Sequence, residues 1–175
     1  LPVPLAVVAG GLFALCPLAW ATATRDRHLF VWATAALAVG ALYSFRPTRL
    51  SARPVADFTA NAVGYGFVAF GFGWGLAGGT GIVTLLPACA PYVFLMAAGS
   101  ISSTLPDIPG DTRDNKRTTA VVFGKARAHL LALALLIAAL LGAVAQQDFV
   151  AAVMAGGALP FYVAYAFHRT QTLME

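Results

Sequence analysis

"HLLALALLIAALLGAVA", residues 129–145, contains one polar side chain, His129, at its first position. A stretch so apolar has no polar face to turn toward water, which the surface helix of a soluble domain needs. Together with Ala128 it approaches the roughly 20 residues that carry a helix across about 30 Å of hydrocarbon at 1.5 Å per residue. Working outward, five more runs of this kind appear: Val3–Thr22, Leu29–Phe45, Phe58–Ala77, Ile82–Thr104 and Phe149–Phe167. None contains Asp, Glu, Lys or Arg, so the 11 basic and 7 acidic residues all fall in connections or at the C-terminus. The chain is 59% hydrophobic and 10% charged, with a mean hydropathy of +0.78; soluble proteins have about a quarter of their residues charged. The reading is an all-α polytopic transmembrane helix bundle of about six spans. The first run has no basic flank and no small-residue cleavage pattern, so it reads as a span and not as a signal peptide.

The basic residues set the orientation. The first connection has Arg25 and Arg27, the second Arg46, Arg49 and Arg53, and the fourth has five; Arg169 follows the last span. Nine of the eleven therefore lie on one side, which the positive-inside rule makes cytoplasmic, in a cell inner membrane. The net charge of +4 then reflects juxtamembrane residues meeting lipid headgroups, and no nucleic-acid partner is expected. Cys16 and Cys89 sit inside apolar runs and read as packing residues, with no metal or disulfide framework. His28, His129 and His168 lie at span ends and read as interfacial. Gly71 and Gly75 have the spacing that lets membrane helices approach closely. Pro87 and Pro91 are expected to bend the fourth span.

Only the second and fourth connections are long, and both are on the nine-charge side. The fourth opens with "LPDIPGDTRDNKRTT", residues 105–119. Asp107 and Asp111 are four apart: a helical turn would bring them onto one face about 6 Å apart, whereas an extended strand would separate them by roughly 13 Å. The spacing leaves both open. Asp107 suits an N-cap, and Pro109 suits a first turn. Two carboxylates followed by Arg113, Lys116 and Arg117 are suited to a divalent cation and a polyanion together, since Mg²⁺ is commonly shared between carboxylates and phosphates. The alternative is a solvated loop whose charges only fix topology. Asp57 and Asn61, also four apart, read as the start of a helix.

The longer segment "LPDIPGDTRDNKRTTAVVFG" resembles the second aspartate-rich motif of the UbiA superfamily of intramembrane prenyltransferases, through Asp107, Asp111, Lys116, Arg117, Thr118, Val121 and Gly124. "YSFRPTRLSARP", from Tyr43, is similar to the tyrosine-led loop that precedes the superfamily's fifth span. The resemblance implies Mg²⁺-dependent transfer of an isoprenyl group from a prenyl diphosphate donor to a lipophilic acceptor: an aromatic quinone precursor, chlorin, carotenoid or lipid. It assigns Asp107 and Asp111 as metal ligands, and Lys116 and Arg117 as diphosphate clamps. Arg49 and Arg46 would reach the same phosphates from the other loop, and Tyr43 would bind the diphosphate or orient Arg49, the alternative being a tyrosine of the interfacial belt. Phe45, Tyr65, Phe67 and Trp74 are candidates to line a prenyl groove or to pack against lipid and neighbouring helices.

The superfamily's first aspartate-rich motif has no counterpart here, and the superfamily usually has nine spans. The resemblance therefore implies a single prenyltransferase-like domain over 1–175 that lacks N-terminal spans and the last C-terminal span, and that is inactive alone. Two rival readings are a small-solute transporter and a non-catalytic membrane assembly subunit. The transporter would call for ionisable groups at mid-membrane, and the runs contain none of the four charged residue types.

Overall fold

The computed structural model describes residues 3–171, with side-chain surroundings for Leu5 and residues 8–166. Among the described residues all regular structure is helical. In chain order it comprises α1 (Val3–Ala23), α2 (Arg27–Ser44), a 3-10 turn (Leu50–Ala52), α3 (Ala56–Asn61), a π segment (Ala62–Ala69) and α4 (Phe70–Leu76). It continues with α5 (Ile82–Thr104), α6 (Ile108–Arg113), α7 (Thr119–Ala145) and α8 (Phe149–Gln171). Each of the six apolar runs forms helix. The third is assembled from α3, the π segment and α4, which follow one another without a break.

Three helices, Ile82–Thr104, Thr119–Ala145 and the part of α8 over Phe149–Ala166, are long and apolar enough to cross a bilayer; Val8–Ala23 is a shorter apolar helix. The helix of the second run, α2, opens with the polar Arg27 and His28, and the third run is divided into three pieces. The outward surface is apolar: Phe13, Val83, Phe149 and Phe161 are 80%, 80%, 78% and 77% exposed. Such a continuous apolar exterior suits lipid and not water. The protein is an integral membrane protein.

Alanine fills the central seams. On α7, Ala128, Ala132, Ala139 and Ala143 are almost wholly buried, and with Leu136 they face Leu95, Ala98 and Ile101 of α5 and Ala155 of α8. Small side chains let helix backbones approach, which is how membrane helices gain van der Waals contact when lipid is as apolar as they are. Glycine does the same for the π segment and α4. A Cβ on Gly66 would lie 2.5 Å from the Val93 Cα, while one on Gly71 or Gly75 would overlap the side chains of Trp32 or His28. The spacing of Gly71 and Gly75 thus serves packing against α2.

Capping residues position the ends. Asp26 accepts the His28 and Leu29 amides at the start of α2, and Asp148 accepts the Ala151 amide at the start of α8. α5 runs on as helix through Pro87 and Pro91. α7 is interrupted at Gly124 (φ 75°, ψ 159°), a conformation that requires glycine; its long straight part begins at Lys125.

Two packing expectations need correction. Cys89 is buried, with its thiol donating to the Leu86 carbonyl, but Cys16 is exposed, on a helix whose main packing partner is α2. His129 is buried and not interfacial: it lies a turn beyond Lys125, between α7 and α8, with Nε2 2.9 Å from the Tyr162 carbonyl. His28 lies at its span end, where it accepts the Trp32 indole N–H. The side chains of His168 and Arg169 are outside the described residues.

Candidate functional site

The DxxxD segment adopts the helical alternative. The Asp111 amide donates to the Asp107 carbonyl at 2.8 Å, a full helical turn. Asp107 occupies the N-cap position of α6 without capping it through its side chain, so its exposed carboxylate is uncommitted there. Asp111 is 7% exposed. One of its oxygens takes a 2.8 Å ion-pair hydrogen bond from Lys116 Nζ, and the other accepts from the Thr118 hydroxyl at 3.3 Å. A turn through Asn115 (φ 53°) folds Lys116 back, and its amide also bonds the Asp111 carbonyl at 2.9 Å. The hydrogen bond to Asp111 holds the Lys116 pKa above the usual lysine value, with Asp114 adding attraction and Arg49 opposing it. Lys116 is therefore an ammonium throughout the neutral range.

That opposing charge brings in the second loop. Arg49 is close enough to Lys116 for their charges to repel, and the Arg117 amide donates to the Ala52 carbonyl at 3.2 Å. The two long connections, about sixty residues apart in sequence, are one surface. Arg49 has a left-handed backbone (φ 34°) at the start of the 3-10 turn. Arg53 donates to the Pro47 carbonyl at 2.9 Å, and like Arg46, Arg113, Asp114 and Arg117 it is exposed.

The clamp between the loops is a carboxylate that spacing did not single out. Asp57 lies in the first turn of α3, as a helix start should, and accepts the Phe58 amide. It is also 3% exposed and reaches α7: one oxygen accepts the Thr119 amide at 2.7 Å, and the other accepts the Thr119 hydroxyl. That hydroxyl oxygen in turn accepts the Val55 amide at 2.7 Å. Val55 has φ 68°, costly for a β-branched residue, and the Thr119–Asp57 pair holds it there. The sequence signal was a lone acid opening the third apolar run and a Thr pair nine residues ahead of the fifth, where α7 opens.

Tyr43 is tied to Asn61, not to Arg49. The Asn61 amide donates to the Tyr43 hydroxyl at 3.3 Å and to Ser100 Oγ at 2.9 Å. Tyr43, Ser44 and Asn61 form the polar end of a cavity of about 580 Å³ whose remaining lining is apolar, including Trp32, Val39, Val68 and Phe72. Tyr65 lines this cavity too. Of the other aromatic candidates, Phe45 is exposed, Phe67 packs edge-on against Trp32 and Trp74 stacks on Phe70.

Among the described residues no cluster of three or more His, Cys, Asp or Glu forms a self-sufficient metal cage. The donors present are hard carboxylate oxygens one helical turn apart beside a cationic surface, which fits a cation shared with phosphates and water. The same bundle holds this charged surface and, between α2, α3 and the π segment, the apolar cavity.

The sequence comparison makes this specific. The model of the UbiA prenyltransferase family matches residues 1–174, and the chain belongs to that family. No curated protein sequence matches the chain. The fold is similar to that of a UbiA homolog from Archaeoglobus fulgidus whose structure was determined bound to Cd²⁺. The two share 24% identity, with a TM-score of 0.68 over 98% of this chain and 64% of the homolog. The chain thus spans less than two thirds of that relative's length.

Proposed function

We propose that the protein transfers an isoprenyl group from a prenyl diphosphate to a lipophilic acceptor within the membrane, on the cytoplasmic face. The observation that carries this is the joining of the two loops, which puts Asp111, Lys116 and Arg49 in one electrostatic neighbourhood. On this reading Arg49, Arg46, Lys116 and Arg117 hold the diphosphate. A divalent cation such as Mg²⁺, held by Asp107 and Asp111, would supply Lewis-acid neutralisation of the leaving group. As the carbon–oxygen bond breaks, the electron pair goes to the diphosphate, where the bound cations meet its charge, and the acceptor forms the new bond to that carbon and gives up a proton. Lys116 is well suited to this because it already stands beside Asp111 and can turn to a phosphate oxygen.

The cavity ending at Tyr43 would take the hydrocarbon. Its aromatic walls, Trp32, Tyr65 and Phe72, can stabilise an allylic cation and keep water from it. The archaeal relative's Cd²⁺ complex supports a divalent cation in this role. The test is prenyl transfer by the full-length protein, with radiolabelled prenyl diphosphates and a panel of acceptors, with and without Mg²⁺. Activity should require Mg²⁺ and both Asp107 and Asp111. Unchanged turnover by the Asp107→Ala variant at limiting Mg²⁺ would remove the assignment.

A further inference from the structure

A second cavity, of about 340 Å³, lies between α5, α7 and α8 at the end of the bundle that carries the long loops. It is lined by Ser102 from α5, Leu105 and Pro106 just beyond its end, Lys125 and His129 from α7, and Phe161, Tyr162 and Tyr165 from α8. Its polar groups divide into two kinds. Ser102 and Tyr162 are occupied with each other, the serine hydroxyl donating to the phenol at 2.8 Å. Three others have capacity left. Lys125 Nζ stands 5.4 Å from the centre of the Tyr165 ring, and the only ion pair among the described residues is the one at Lys116. The Tyr165 hydroxyl has no hydrogen-bond partner among those residues. His129 Nε2 faces a carbonyl, which can only accept, so Nε2 carries the proton and Nδ1 is left as an acceptor.

An ammonium and a phenol O–H together ask for an oxyanion, and the Nδ1 acceptor asks for a hydroxyl. Leu105 and Phe161 add apolar wall beside them, and Phe161 is 77% exposed on the lipid-facing surface. A ligand that satisfies all of these is an anionic phosphodiester with a hydroxylated headgroup and hydrocarbon tails. Basic pockets between membrane helices at the headgroup level recognise such lipids. We propose that this cavity is a binding site for an anionic glycerophospholipid of the phosphatidylglycerol type, with Lys125 and Tyr165 on the phosphate and His129 on a glycerol hydroxyl. The site is separate from the prenyl-transfer reading and does not depend on it.

Native mass spectrometry of the full-length protein in non-ionic detergent, titrated with phosphatidylglycerol or phosphatidylcholine, tests this. Phosphatidylglycerol should bind in preference, and Lys125→Ala should weaken it about tenfold, the scale of a hydrogen bond to a charged group. Tyr165→Phe should weaken it by roughly threefold, and Lys125→Arg should keep most of the binding. Arg127→Ala is the control, an exposed cation two residues away that does not line the cavity, and it should bind as the parent does. Equal retention of the two lipids, or equal losses in Lys125→Ala and Arg127→Ala, would overturn the site. Competition by soluble glycerol phosphate as strong as by the lipid would overturn the assignment to membrane lipid.

Discussion

Asp57 and Asp111 are both buried carboxylates near the same end of the bundle, but they are satisfied in opposite ways. Asp57 accepts two backbone amides and a threonine hydroxyl, all fixed in place. Asp111 is neutralised by the mobile side chain of Lys116, itself 27% exposed, and by one longer bond from Thr118. A carboxylate held by fixed neutral donors fastens two segments together, and exchanging its partners would mean unfolding them. One held by a flexible ammonium can trade that partner for another cation at little cost. The pair separates a structural acid from an acid available to a ligand, although both would count simply as buried aspartates.

Several substitutions sharpen or break this contrast. The largest effect is expected for Asp111→Asn in the full-length protein: on the proposed function, a loss of about 10²-fold or more in Mg²⁺-dependent prenyl transfer, typical of removing preorganised charge stabilisation. Its thermal midpoint in detergent should hardly move, because Lys116 can reach water. Asp57→Ala should do the reverse, losing about 3 kcal/mol of stability, since the Thr119 and Phe58 amides are left buried without partners. Equal thermal midpoints for Asp57→Ala and Asp111→Asn would erase the distinction.

Smaller again is Thr119→Val, which keeps shape but strips the hydroxyl from both Asp57 and the Val55 amide. It should cost about 1–2 kcal/mol, read from chemical or thermal unfolding. Thr118→Val removes only the longer bond to Asp111 and should cost less than about 1 kcal/mol. If Thr118→Val proved the more damaging of the two, the bond to Asp111 would be the structural one.

What the sequence made legible was whatever a local pattern encodes. The segregation of charge marked the six apolar runs, while the DxxxD spacing left helix and strand open and the structure takes the helix. The Asp57 clamp was not legible because its partner is 62 residues away and the same acid is also a good first-turn residue. Nothing local distinguishes an aspartate that serves its own helix from one that also serves another. His129 is hidden for a related reason: a run-end position implies an interface only if nothing packs over it, and here Tyr162 and Tyr165 of α8 cover it, which no local pattern encodes. Tyr43 was placed near the phosphates by its loop, whereas the bond to Asn61 points it toward the cavity.

The π segment over Ala62–Ala69 has a consequence for the protein's descent. A π turn accommodates one residue more than an α turn, so this stretch can be treated as an insertion absorbed without breaking the helix. Removing that extra residue would let α geometry return with the downstream faces kept, whereas removing one from the α-helical α3 would rotate everything beyond it by about 100° about the axis, the α-helical step. Only the second change would swing Gly71 away from Trp32 and Phe70 away from Tyr92, with which it now packs at 4.9 Å between ring centres. A lineage can therefore lose a residue within Ala62–Ala69 and keep Phe70, Gly71 and Gly75 unchanged.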